Sequence, residues 1–240
     1  MVRNLRGVHR LIIAGGEPTL RTDLHDILSL CKPEFKVVAL ATNAVNIDPQ
    51  MAVLLSSCIA YADVTVDGPR AVHDRIRGSY DAILGGLLTL KAANVAISIV
   101  TVLLDDNVDY ISYVAHTADV LDAKKLKILS PIPKGRGQEI LSKRLPSFRT
   151  VALFEELKRQ KASMGWRVRI TVTDWNRIRE GHALLIHPDG EVVASPVWSK
   201  EGCVQVVGNI LHEDIRTIWA RYPYKRHHVD KYVENSLLVC

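Results

Sequence analysis

Apolar positions along this chain come in short continuous runs separated by segments with helical spacing. Leu11-Ile12-Ile13-Ala14 is the first run, and it ends in Gly15-Gly16-Glu17-Pro18. Leu24, Ile27, Leu28 and Cys31 follow at i, i+3, i+4 and i+7, the period of a helix burying one face, with Asp23 at the cap position and Pro33 as the stop. The alternation continues. Phe35 to Ala41 is a second apolar run ending in Thr42-Asn43, and Asp48-Pro49 opens the next helix with an acid as cap and proline in its first turn. Ala62 to Val66 is a third strand, closed by Asp67-Gly68-Pro69. Ser79 caps a helix carrying Ile83, Leu84, Leu87 and Leu90. Val95 to Leu103 is a fourth strand, Asp105-Asp106-Asn107 starts a helix with Ile111, Val114 and Ala118 inward, and Leu126 to Leu129 is a fifth strand running into Ser130-Pro131.

Strand, polar loop and helix thus recur at intervals of about thirty residues, the spacing of parallel βαβ units. Continuous apolar strands fit a parallel sheet covered by helices. The fold class predicted is α/β, a partial (β/α) barrel of parallel strands. Polar or glycine residues gather after each strand: Gly15-Gly16-Glu17, Thr42-Asn43, Asp67-Gly68, Thr101 and Ser130. In a β/α barrel these ends share one face, where such barrels place their active sites. Each taken singly is also ordinary cap or turn chemistry. A sugar-phosphate TIM barrel would need eight such units and a late glycine phosphate loop, and the pattern supplies five units.

Beyond a helix from Thr150 to Ser163 ending at Gly165, the organisation changes. Arg167 to Thr173 alternates as a strand, and His182 to Ala194 reads as a hairpin turning at Asp189-Gly190. Gly208-Asn209-Ile210 precedes a terminal helix, Glu213 to Ala220. The predicted division is residues 1–165 as barrel core and residues 166–240 as a small C-terminal α+β appendage. At the other end, Val2, Leu5 and Val8 read as the last turn of an amphipathic helix entering the first strand.

Composition narrows the function classes. At 240 residues, 48% apolar and 24% charged, the chain is of ordinary globular composition, and a net charge of +5 without a concentrated basic stripe gives no expectation of specific nucleic-acid binding. No apolar run reaches membrane-spanning length and there is no signal-peptide pattern, so a reducing cytoplasm with free thiols is expected. The four cysteines, Cys31, Cys58, Cys203 and Cys240, include no pair at metal-ligand spacing. His182, His187, His227 and His228 have no such spacing either. Asp67 with His73 and Asp74 is a possible acid/base group, although Asp-Gly-Pro is also a common turn. Lys134 and Arg136 sit in a loop open to either an anionic substrate or solvent.

The ordered set Gly15-Gly16-Glu17-Pro18, Thr42-Asn43, Val66-Asp67-Gly68 with His73 and Arg77-Gly78, and Gly135-Arg136-Gly137 resembles the radical S-adenosylmethionine superfamily. It is most similar to the branch with molybdenum-cofactor, haem-pathway and peptide-modifying members. Ile186-His187-Pro188-Asp189-Gly190-Glu191-Val192, then Gly208-Asn209-Ile210 and Trp219, resembles that branch's appended SPASM or twitch region. The resemblance implies a barrel that binds S-adenosylmethionine at its strand C-termini to modify a peptide or small-molecule substrate. Gly15, Gly16, Glu17 and Pro18 would hold the methionine amino group, Thr42, Asn43 and Asp67 would lie near its carboxylate or ribose, and Ser130 would border the adenine.

The sequence departs from the family twice. The family's C-x₃-C-x₂-C, whose thiolates hold a [4Fe-4S] cluster, is not in this chain, and its first strand corresponds to the family's second. The barrel is therefore expected without its first βα unit, with no metal ligands of its own and no radical chemistry as the chain stands. The cluster is expected only if an upstream segment supplies the motif. In the appendage, Ser195-Pro196 and Ile178-Arg179 near Gly181 stand where relatives carry auxiliary cysteines, so no auxiliary cluster is expected. Two accounts compete: an N-terminally truncated version of an active enzyme, or a naturally degenerate, cluster-free relative acting as a binding or accessory protein.

Overall fold

The computed structural model describes residues 1–132, 135–174, 184–194, 205–223 and 237–239. Six parallel strands lie side by side in chain order: β1 (Arg10–Ile13), β2 (Val37–Thr42), β3 (Tyr61–Thr65), β4 (Ile97–Val102), β5 (Lys125–Leu129) and β6 (Arg169–Thr173). Sequential order with parallel pairing means that every connection crosses over the same face, and helices fill those crossovers. They are α1 (Leu24–Cys31), α2 (Pro49–Cys58), α3 (Arg70–Ile76), α4 (Tyr80–Ala92), α5 (Ile111–Val120) and α6 (Ser147–Met164).

The strands alternate more than continuous apolar runs suggest. Leu40, Val64, Ile99, Leu126, Ile128 and Ile170 are fully buried in one core cluster with Leu28, Leu55, Leu90 and Val114 of the helices. The opposite, concave face carries Asp63, Lys125, Lys127 and Arg169. One face of the sheet is therefore the hydrophobic core, and the other is mixed, charged on β3, β5 and β6 and apolar at Ile12 and Val100.

Arg169–Thr173 corrects the sequence reading. Assigned there to the appendage, this strand is the sixth parallel member of the main sheet, with Lys125 opposite Arg169 and Leu129 opposite Thr173, so the sheet continues past residue 165. A last strand, β10 (Leu237–Val239), joins β6 antiparallel. The smaller unit is a three-stranded antiparallel sheet of β7 (Leu184–Ile186), β8 (Glu191–Ala194) and β9 (Gln205–Asn209), followed by α7 (Ile215–Ala220). The expected turn at Asp189-Gly190 joins β7 to β8, with Gly190 at φ +85°. The first residues fold onto this unit: Val2–Leu5 is a 3-10 turn with Leu5 buried, and the Asn4 amide donates to the Ile210 carbonyl at 2.8 Å.

The helix starts divide into those made as expected and those made otherwise. Asp48 accepts from the Met51 amide at 2.7 Å with Pro49 in the first turn, as its position predicts. Asp23 makes no cap bond and instead forms a fork with Arg21, at 2.8 and 2.7 Å. Ser79 adopts φ +63° and makes no side-chain cap; Asp74 takes the Tyr80 amide at 2.8 Å. Asn107 is fully buried, accepting from the Leu104 amide and donating to the Val102 carbonyl, so the helix after it begins only at Ile111. Helix α3 was not foreseen, because it is short and has no apolar repeat long enough to show helical period.

Candidate functional site

The residues expected to form a site do lie at the C-terminal ends of the parallel strands. Behind β1, Gly15 takes φ +154°, a conformation open to glycine and not to most side chains. A Cβ built on Gly15 or Gly16 would meet no protein atom within 4 Å, so the loop backbone is open to an approaching molecule. Pro18 is buried and starts a 3-10 turn, which fixes the direction in which the loop leaves the strand.

Glu17 ties this loop to the next strand. Its Oε1 accepts from the Thr19 amide (3.1 Å), the Thr19 hydroxyl (2.7 Å) and the Thr42 hydroxyl (2.6 Å). Among the described residues its Oε2 accepts only from the Asn43 amide, at 2.7 Å. The carboxylate thus spans 25 residues of sequence to clamp β1's loop onto the end of β2. Oε1 is saturated, whereas Oε2 retains a lone pair, and a carboxylate so placed can accept one more strong donor such as an ammonium. Thr42 is itself buried and accepts from the Ala44 amide at 3.0 Å. The Asn43 side chain is exposed; its oxygen accepts from the Val45 amide at 2.9 Å, which leaves its NH₂ facing outward.

Asp67 is placed differently. It is fully buried at the end of β3, with Oδ1 accepting from the Thr101 hydroxyl (3.1 Å) and the Val102 amide (3.0 Å) of β4. Its Oδ2 pairs with Arg77 Nε. Its own amide donates to His73 Nδ1 at 3.0 Å, so the neutral ring carries its proton on Nε2. His73 is fully buried and packs edge-on against Tyr80, ring centroids 5.7 Å apart. Burial pushes its pKa below the ordinary histidine value, against the opposing pull of Asp67. Asp67 therefore holds β3, β4 and α3 together and shows no oxygen to the lumen.

Ser130 is buried at the end of β5, where its amide donates to the Thr173 carbonyl at 3.1 Å. Asp174, fully buried after β6, was missed from sequence. The signal was present, since an acid directly after a strand is the rule that picked out Asp67. Burial lowers the pKa of the neighbouring Arg144, and Asp174 opposes that shift.

The residues described do not fit an iron-sulfur cluster. Cys31 is buried in the core on α1, Cys58 is half-buried at the end of α2, and among the described residues no group of three His, Cys, Asp or Glu is placed to hold a metal ion. Lys134, Ile178, Arg179, Gly181, His182, Ser195, Pro196, Cys203, His227, His228 and Cys240 lie outside the described residues. Gly135–Gln138 forms a 3-10 turn, and His187 takes part in the β7–β8 turn through its backbone.

An open parallel barrel with a glycine-acid loop and a ring of polar strand ends is the architecture of an α/β cofactor-binding barrel. A family model described as the radical SAM superfamily matches residues 1–118. This matched part of the chain belongs to the radical SAM superfamily. It is 25% identical over 171 residues to the Fe-coproporphyrin III synthase of Methanosarcina barkeri, covering 68% of this chain and 43% of that protein. It is 35% identical over 134 residues to the mycofactocin maturase MftC of Mycobacterium tuberculosis, covering 53% of this chain and 34% of that one. These matches thus span less than half the length of either relative.

Among solved structures, Streptococcus suis SuiB bound to S-adenosylmethionine superposes with a TM-score of 0.72 at 12% identity, over 92% of this chain and 56% of that one. The structure of anSMEcpe with bound AdoMet superposes with a TM-score of 0.69 at 16% identity, over 98% of this chain and 68% of that one. Identities so low establish the fold and nothing finer. No helix among the described residues is long and apolar enough to cross a membrane.

Proposed function

We propose that this chain forms the S-adenosylmethionine-binding part of a radical SAM enzyme of the SPASM/twitch branch, acting on a peptide or small-molecule substrate in the cytoplasm. The observation that carries this reading is the Glu17 clamp: a carboxylate held rigidly by three donors on one oxygen, with acceptor capacity left on the other, beside a glycine backbone open to a ligand. Oε2 takes the methionine ammonium, Gly15 and Gly16 let the backbone approach it, and the outward Asn43 NH₂ is a donor for the carboxylate. Thr42 and Pro18 act by holding Glu17 and the loop in place. Asp67 acts at one remove, fixing the ends of β3 and β4, and Ser130 closes the rim at β5. Bound S-adenosylmethionine would supply the reactive sulfonium. The chain's own residues bind and orient it.

The same reading holds that the chain by itself does not cleave the cofactor, because its sequence carries no C-x₃-C-x₂-C motif to hold the cluster. Calorimetric titration with S-adenosylmethionine tests the pocket. Binding at micromolar to submillimolar affinity that Gly16→Val abolishes is expected, and no heat at millimolar cofactor sinks the reading. Anaerobic reconstitution with iron and sulfide tests the second half, with neither stoichiometric iron nor 5′-deoxyadenosine expected. Either product would overturn the claim of inactivity. The in-frame DNA upstream of Met1 discriminates between an enzyme whose cysteine segment lies there and a cluster-free binding protein: a C-x₃-C-x₂-C favours the first, and a nearby stop codon without it favours the second.

A further inference from the structure

The concave face of the sheet carries a charge pattern that the cofactor pocket does not use. Asp63 on β3, Ser98 on β4, Lys125 on β5 and Arg169 on β6 stand in one row of the sheet register. Lys127, two residues along β5 on the same face, reaches back to Asp63 and donates to both carboxylate oxygens, at 2.7 and 2.6 Å. Both partners of this pair are largely shielded from water, with side chains 22% and 12% exposed. The Lys127 ammonium also lies 5.2 Å from the centre of the Tyr61 ring. The one carboxylate in this row is therefore already neutralised.

Three more cations surround it. Lys125 and Arg169 are adjacent in register, and Arg10 opens β1 at the far edge of the sheet. Among the described residues no carboxylate pairs with any of the three. Burial lowers the Lys125 pKa from the ordinary lysine value, and Lys127, Arg169 and Arg10 push it the same way against Asp63. Leu11 and Ile13 of β1 pack on the core, so Arg10 stands on the other face of that strand, the face that carries Lys125 and Arg169 on theirs. Arg10, Lys125 and Arg169 are each the first residue of their strands, so the cluster lies at the opposite mouth of the barrel from the Glu17 loop.

Lys125 and Lys127 are half-buried while Arg10 and Arg169 are exposed, and gathering like charges around the half-buried pair is unfavourable unless an anion completes them. Two guanidinium forks and two ammonium groups match a molecule with more than one carboxylate or phosphate group. We propose that Arg10, Lys125, Lys127 and Arg169 form an anion-binding site at the N-terminal mouth of the barrel, taking the multiply charged end of a small ligand. Lys125 is its centre, half-buried between Arg169 in register and Lys127 on its own strand, and no carboxylate among the described residues pairs with it. The site is independent of the cofactor reading and is tested without S-adenosylmethionine.

The probes are citrate and pyrophosphate, titrated by calorimetry and by amide-shift NMR, with acetate as the monovalent control. Saturable binding of one or both at submillimolar Kd is expected, at least about tenfold tighter than acetate, with shifts centred on β5 and β6. Citrate binding alone identifies a carboxylate ligand and pyrophosphate alone a phosphate ligand. Lys125→Gln, which relieves repulsion and should leave the fold intact by circular dichroism, is expected to weaken binding at least about tenfold. Arg159→Gln, on the exposed face of α6, should leave it unchanged. Affinities no better than acetate, shifts scattered over the surface, or equal loss in the Arg159 variant would each overturn the proposal.

Discussion

Glu17 and Asp67 occupy equivalent places, each a carboxylate just beyond the end of a parallel strand, yet the fold treats them in opposite ways. Asp67 is sealed: both oxygens are filled, one by β4 and the other by Arg77, and no part of it reaches solvent. Glu17 is clamped on one oxygen and nearly free on the other. Motif reading puts both on a ligand. Hydrogen-bond capacity separates them into a residue that can touch a ligand and one that positions the strands behind it. The distinction lies in which lone pairs remain, which no residue spacing encodes.

The strongest way to break this contrast is Asp67→Ala. It strands Arg77 and leaves the Thr101 hydroxyl and Val102 amide without their acceptor, so a loss of about 3–5 kcal/mol in denaturant unfolding is expected. If stability falls little and only cofactor binding suffers, the two carboxylates are alike after all. Glu17→Gln should cost less, about 1–3 kcal/mol, since the amide places a donor against a donor at Thr42 or Asn43. It should also weaken S-adenosylmethionine binding at least about tenfold by calorimetry. Unchanged affinity would make Glu17 a positioning residue like Asp67.

Asp48→Ala sharpens the comparison from outside the site. Loss of the α2 cap should cost about 1 kcal/mol in thermal unfolding and leave cofactor affinity unchanged. The smallest effect concerns His73. Its folded pKa is lowered by burial, so its contribution is fully present above the unfolded value of 6.5 and is lost as pH falls through the lower folded pKa. Stability measured from pH 7 downward should therefore decline less steeply in His73→Gln than in the parent. An identical slope would remove His73 from the account of acid sensitivity.

Much of the barrel was legible because its physics is local. Continuous apolar runs, helical period and strand-end polars gave five strands in order, and Asp48-Pro49 marked a helix start that forms as expected. The sixth strand was misplaced because Arg169–Thr173 alternates, and alternation ordinarily marks a half-exposed antiparallel strand. Its neighbour β5 alternates as well, Lys-Leu-Lys-Ile-Leu, and together they show that the inner face is polar on this side of the sheet. That face depends on which strands become neighbours, and so did the gathering of Arg10, Lys125 and Arg169. Ser79 and Asp23 failed as caps for a local reason: Asp74 takes the Tyr80 amide in place of Ser79, and Arg21, two residues away, occupies the Asp23 carboxylate.

The bond from Asn4 to the Ile210 carbonyl has a consequence in time. It joins groups 206 residues apart, and the entropic cost of closing so long a loop grows with the logarithm of its length. During synthesis the amino-terminal turn leaves the ribosome long before the small sheet that receives it. The parallel strands between them assemble through distant pairings, which are slow to form. The Asn4 bond therefore closes only after the small sheet has been made, and this turn is among the later parts of the fold to reach its final contacts.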